Sequence, residues 1–201
     1  MVPDEKVAVA VAALKKSNLR PCPDPWTCIV SGESTQRPAP DFHMHIGTTE
    51  VNVSIRAHSE TLWFAPPPTD LDFRAEANTV TDIPYTVASH DSFPAPRPGR
   101  GHGAFSKQGP PVRVPLSHIM LEAYIRLASA YRHGYGSFYH SMMTYVEEYI
   151  DADGLLNDQN LTPICRAFWL ELKAGRRPLR DLMDELQLGL GDIDPDADSL
   201  L

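Results

Sequence analysis

The side chains best suited to chemistry stand together in Asp41-Phe42-His43-Met44-His45. Successive side chains of a β-strand point to opposite faces, so His43 and His45 share a face and both imidazoles can reach one metal ion. Asp41 has the same parity and adds a carboxylate to the cluster. Further ligands must come from distant positions such as His58, His90 or His102. The same alternation turns Phe42, Met44 and Ile46 inward and leaves both imidazoles on the wet face of the strand. That exposed arrangement, with no cofactor, is the expectation; a metal site at His43 and His45 is the alternative. The three cysteines, Cys22, Cys28 and Cys165, give an odd count that suggests reduced thiols. Cys22 and Cys28 lie six apart among prolines, outside the regular zinc-ligand spacings, although a disulfide between them is within geometric reach.

The Asp-x-His-x-His pattern at 41–45 resembles a stretch of the amidohydrolase superfamily, whose histidines bind metal at the end of a first barrel strand. The resemblance implies a metal-dependent hydrolase built on Asp41, His43 and His45. A second stretch, Asp151 to Asn160, resembles part of an EF-hand or dockerin-type calcium loop. Asp151, Asp153, Gly154 and Leu156 match that pattern, while Tyr149 and Asn160 hold its two end positions. Without carboxylates at the ends, chelation is weak, and a helix–helix turn with a left-handed Gly154 is expected. Leu179 to Leu188 is spaced like a leucine-rich nuclear export signal, which implies partner docking through Leu182, Leu186 and Leu188. The same spacing also makes an amphipathic helix that packs on its own domain. Gly101 to Lys107 lacks the Gly-Lys-Ser/Thr ending of a phosphate-binding loop. Neither a Gly-x-Ser-x-Gly nucleophile elbow nor a dinucleotide glycine fingerprint is present.

Charge narrows the partners. The chain carries 18 Lys and Arg against 26 Asp and Glu, a formal charge of -8. Such a surface argues against broad binding to phosphate backbones. The exception is the stretch between Asp91 and Glu122, which has no acidic residue and carries Arg97, Arg100, Lys107 and Arg113. This basic, Pro- and Gly-rich segment is suited to an acidic partner, a nucleic acid or a neighbouring subunit. No window of apolar residues is long enough to span a membrane, and the apolar N-terminal stretch, broken by Lys15 and Lys16, lacks the form of a signal peptide. A cytoplasmic location, with nuclear shuttling as an option, follows as the expectation.

Elements must position these residues. Pro3-Asp4-Glu5 opens a helix closing near Asn18. Trp26 to Val30 is a short strand candidate. Phe42 to Arg56 holds two strands of opposite parity, separated by a break over Gly47 to Glu50. Thr61 to Phe64 and Thr79 to Val87 are read as further strands, the latter an edge because of Pro84. Residues 89–115 form a long loop. Leu116 onward is helical, with segments opening near Leu116, Ser137, Pro163 and Pro178, the last followed by an acidic tail after Gly189. In the second of these, Phe138, Met142, Tyr145, Val146 and Tyr149 are placed on one side.

The expected fold is α+β: a small antiparallel sheet from the N-terminal half packed against a C-terminal bundle of about four helices. A single domain is read over 1–201, with a strand-rich part at 1–88, the basic loop at 89–115, a helical part at 116–190 and an acidic tail at 191–201. Tyrosine- and methionine-bearing helices, a basic loop and an acidic tail all offer contact surfaces, and no convergent catalytic set is visible. The expected function is therefore a non-enzymatic interaction or assembly protein, self-associating or docking on a larger complex, in the manner of a small viral structural or accessory protein. The alternatives are the metal-dependent hydrolase and a nucleic-acid-contacting protein using the 97–113 arm.

Overall fold

Pro3, Asp4 and Glu5 begin one 3-10 turn, Asp4–Lys6, which runs into α1, Val7–Lys15. The proline suits a first turn and the acids complement its positive end. The computed structural model describes residues 1–24, 27–29, 38–48, 51–68, 84–91, 93–94, 108, 111–132 and 134–191. Three strands follow α1: β1, Arg20–Pro21; β2, Phe42–His45; and β3, Asn52–Ile55. They form an antiparallel sheet in the order β1-β2-β3. Phe42 lies opposite Ile55, His43 opposite Ser54, Met44 opposite Val53 and His45 opposite Asn52. On the other edge of β2, His45 faces Arg20 and Met44 faces Pro21. The predicted change of parity falls at Gly47, whose φ of 60° needs a residue without a Cβ; Thr49 and Glu50 lie outside the described residues.

Thr61 to Phe64 is not a strand. His58–Leu62 is a short helix, α2. Its exposed first-turn donors are met from outside: the Ser59 N–H donates to Asp4 Oδ1 at 3.0 Å and the His58 N–H to the Val2 carbonyl at 2.8 Å. The run Leu62-Trp63-Phe64 then packs on the core from one helical turn. A second, two-stranded antiparallel sheet pairs β4, Tyr85–Val87, with β5, Arg113–Pro115. The expected strand from Thr79 is described only from Pro84 onward. β5 corrects the expectation of irregular chain up to Pro115. Its one proline, Pro115, is the last residue of the strand, and just before the strand the Val112 carbonyl accepts from the Ala88 N–H at 2.7 Å. Thr27 to Ile29 form a turn rather than a strand, and Trp26 and Val30 lie outside the described residues, as do the acidic tail at 192–201 and the loop residues Arg97, Arg100 and Lys107.

Four helices complete the chain: α3, Ser117–Ala130; α4, Gly136–Val146, extended by one wider π turn over Glu147–Asp151; α5, Pro163–Ala174; and α6, Leu179–Leu190. The described residues thus hold six α-helices and two small antiparallel sheets, an α+β architecture. α3 is central: Leu121, Ala123, Ile125, Leu127 and Ala128 are all buried. Around it gather Met143 and Val146 of α4, Phe168 and Trp169 of α5 and Leu182 and Leu186 of α6. The inward face of α4 is Tyr139, Met143 and Val146; of the expected Phe138-Met142-Tyr145-Val146-Tyr149 stripe, Val146 is buried and Phe138 packs against the core at its edge, while Tyr145 is exposed. Thr162 and Pro163 open α5 as expected, and Gly175, at φ 61°, closes it. Gly189 does not end α6. A Cβ there would lie 2.4 Å from Ile164 Cδ1, so this glycine lets α6 cross α5 closely, and Gly191 ends the helix.

Candidate metal centre

The three-stranded sheet is buried on both faces at β2, and that fact changes the meaning of its histidines. Met44, 2% exposed, points to the side covered by α1, where Lys15 Nζ lies 5.3 Å from the centroid of the Phe42 ring. The expected inward turn of Met44 therefore holds. The expected solvent exposure of the imidazoles does not: His43 is 6% and His45 5% exposed. On that face Cys22 and Cys28 lie against the two imidazoles.

Cys22, Cys28, His43 and His45 place one ligand atom each within 4.8 Å of one another. Cys28 Sγ is 3.4 Å from His43 Nε2 and 3.7 Å from His45 Nε2. In a tetrahedral zinc site with the usual bond lengths, sulfur-to-nitrogen edges are about 3.6 Å. The two imidazoles stand edge to face with centroids 5.2 Å apart, so both point their Nε2 atoms at the same sulfur without stacking. A lone thiol is a weak donor and a weak acceptor, so it holds two buried ring nitrogens only poorly, whereas a cation between them would bind all three atoms strongly. His45 Nδ1 is buried with no hydrogen-bond partner, a burden that a cation on the ring's other nitrogen can outweigh.

The electrostatics fit a cation. Burial, and then the neighbouring His45 ring, hold the His43 pKa below its ordinary value, which favours the neutral imidazole that ligates metal. Burial, and then the hydrogen bond with Cys28, push the Cys22 thiol up, so its thiolate requires a positive partner. Two thiolates and two neutral imidazoles around a divalent ion sum to zero charge, which lowers the cost of burying them.

Local structure explains how four ligands separated by up to 23 positions meet. β1 delivers Cys22 directly after Pro21, which pairs with Met44. Arg56, just beyond β3, donates through its guanidinium to the carbonyls of Pro38 and Ala39, fixing the entry into β2. Asp41 is not a ligand. It has turned to α2, where its Oδ2 accepts the Ala57 N–H at 2.7 Å. His58 donates its attention elsewhere too: its Nε2 lies 2.7 Å from the Tyr85 hydroxyl, which itself donates to the Pro66 carbonyl. His90 is not in the four-residue cluster, and His102 lies outside the described residues.

The remaining sequence candidates separate clearly. Arg113 is half-buried in β5. Leu182 and Leu186 are 4% and 1% exposed and belong to the core, so only Leu188, 85% exposed, faces outward for a partner. The Asp151–Asn160 loop holds Gly154 at φ 70°, the left-handed turn expected. Its Asp151 is engaged by Lys173 Nζ at 2.6 Å rather than turned to an ion. The cysteines are what sequence reasoning missed. Their spacing of six on a proline-rich segment carries no zinc signature, and only the β1–β2 register brings them to the histidines. Comparison with protein-family models, curated proteins and solved structures finds no match to this chain. Among the described residues, no helix is long and apolar enough to cross a membrane.

Proposed function

We propose that this chain is a non-enzymatic interaction or assembly protein whose N-terminal sheet is clamped by one zinc-type divalent cation held by Cys22, Cys28, His43 and His45. The observation that carries the reading is the convergence of the four donor atoms within 4.8 Å. Two sulfurs and two imidazole nitrogens are the donor set of structural zinc sites, and four protein ligands leave no open position for substrate. That closure favours a clamp over a hydrolase, which keeps a position for water. The engagement of Asp41 with Ala57 points the same way. The outward Leu188 of α6 and Tyr145 of α4 are surfaces suited to a protein partner.

Cobalt substitution tests the clamp. Protein reconstituted with Co²⁺ should show the strong visible bands of tetrahedral cobalt and a near-ultraviolet thiolate-to-metal band. Cys28→Ser should weaken the thiolate band sharply, and His45→Ala should disturb the tetrahedral bands. A weak octahedral spectrum, unchanged in either variant, would refute the site.

A further inference from the structure

The metal site is asymmetric in a way that invites control. Its histidines are 6% and 5% exposed on a hydrogen-bonded strand, whereas both cysteines are half-buried and lie in neither helix nor strand. An oxidant arriving from solvent therefore meets sulfur first. The two sulfurs already lie within 4.8 Å, six residues apart, so a small backbone adjustment brings them to bonding distance. Segments outside regular structure make such adjustments at low cost.

We infer that the Cys22–Cys28 pair is a redox switch for its own metal, closing to a disulfide on reaction with a peroxide and releasing the cation. The inference rests on the zinc reading of the site. One thiolate attacks the peroxide O–O bond, giving a sulfenic acid and water once a proton is taken up. The second thiolate then attacks the sulfenic sulfur, forming the S–S bond and expelling hydroxide, which a second proton converts to water. The two sulfurs lose two electrons in all and the peroxide gains them. The cation is left with His43 and His45 alone and loses half of its ligands, both of the anionic ones.

Cys165 does not interfere. It is fully buried in α5, and burial pushes its thiol up to about 11, so at neutral pH it is neither reachable nor ionised. Oxidation is thereby channelled to the pair.

The test uses the full chain, reduced and loaded with Zn²⁺, then treated with hydrogen peroxide. Released zinc is followed with a chromogenic chelator, and a tryptic digest is weighed by mass spectrometry. No Lys or Arg separates Cys22 from Cys28, so both fall in one peptide. The expected result is zinc release in step with the loss of two hydrogens from that peptide, reversed by a thiol reductant with added zinc, and unchanged in Cys165→Ala. Zinc that stays bound under peroxide overturns the switch while leaving the clamp intact. So does release accompanied by added oxygen or by cross-linked chains. A reduced protein that takes up no zinc before peroxide is added overturns the clamp, and the switch with it.

Discussion

At the scale of single residues, burial separates three cysteines of identical chemistry into two classes. Cys22 and Cys28 are half-buried beside two imidazoles, and Cys165 is sealed in the core on the inner face of α5. Iodoacetamide should label Cys22 and Cys28 in the metal-free chain, spare both when zinc is added, and leave Cys165 unlabelled until the protein is unfolded. Labelling of Cys165 in the native protein, measured by peptide mass, would contradict this. The histidine pair was legible in the sequence, because a period of two needs only local geometry. Its environment was not. Whether a strand's second face is wet depends on what packs there, and nothing local to Phe42–His45 announces that residues 22 and 28 fold over it.

At the scale of elements, the joint between α3 and α5 is the clearest case of a buried charge held in place. The Glu122 carboxylate, 3% exposed, accepts the Thr162 N–H at 2.9 Å and the Thr162 hydroxyl at 3.0 Å. It also receives the Arg126 guanidinium at 2.6 Å, and that guanidinium lies 4.8 Å from the centroid of the Phe64 ring. Glu122 thus satisfies an open donor at the start of α5 from another helix. Glu122→Ala should cost about 3 kcal/mol, because it strands the Arg126 charge and two Thr162 donors together; urea unfolding measures it, and a loss below about 0.5 kcal/mol would show the network to be idle. Helix starts and stops with chemical punctuation, such as Thr162-Pro163 and Gly175, were readable in advance. The rotation of α4 and the passage of α6 through Gly189 were not, because they depend on the partner helix. Phe138 and Tyr139 are both aromatic and both reach the core; Tyr139 is the more deeply buried, with its ring stacked 6.1 Å from that of Tyr131.

At the scale of the whole molecule, titration and metal should both act on stability. Burial holds the pKa of His58 and of His118 below the ordinary histidine value, against the pull of Asp4 on the first and Glu122 on the second. The unfolded chain then binds more protons than the folded one as pH falls below about 6.5, the ordinary histidine value. Their contribution is fully present above that value and is lost as pH drops through the depressed folded values. Thermal melts of the metal-free protein should therefore shift downward between neutral pH and mildly acidic pH; a rise over that range would oppose the assignment. The α+β class could be read from composition and periodicity alone, since alternation at 42–55 and helical spacing beyond Leu116 are strong local signals. The proposed metal site of the first half could not, because it rests on a four-residue constellation that strand register helps to assemble.

Zinc bound at a free concentration a thousandfold above its Kd stabilises the folded state by about 4 kcal/mol, roughly 10 °C in a chain of this length. The decisive measurement is elemental analysis of the purified, reduced protein joined to a melt with and without a chelator. The account predicts one zinc per chain, its loss in Cys22→Ser and in His43→Ala, and a Tm lowered by chelation in the unsubstituted protein only. Metal-free protein that takes up no zinc on reconstitution, with a Tm indifferent to chelator, would contradict it.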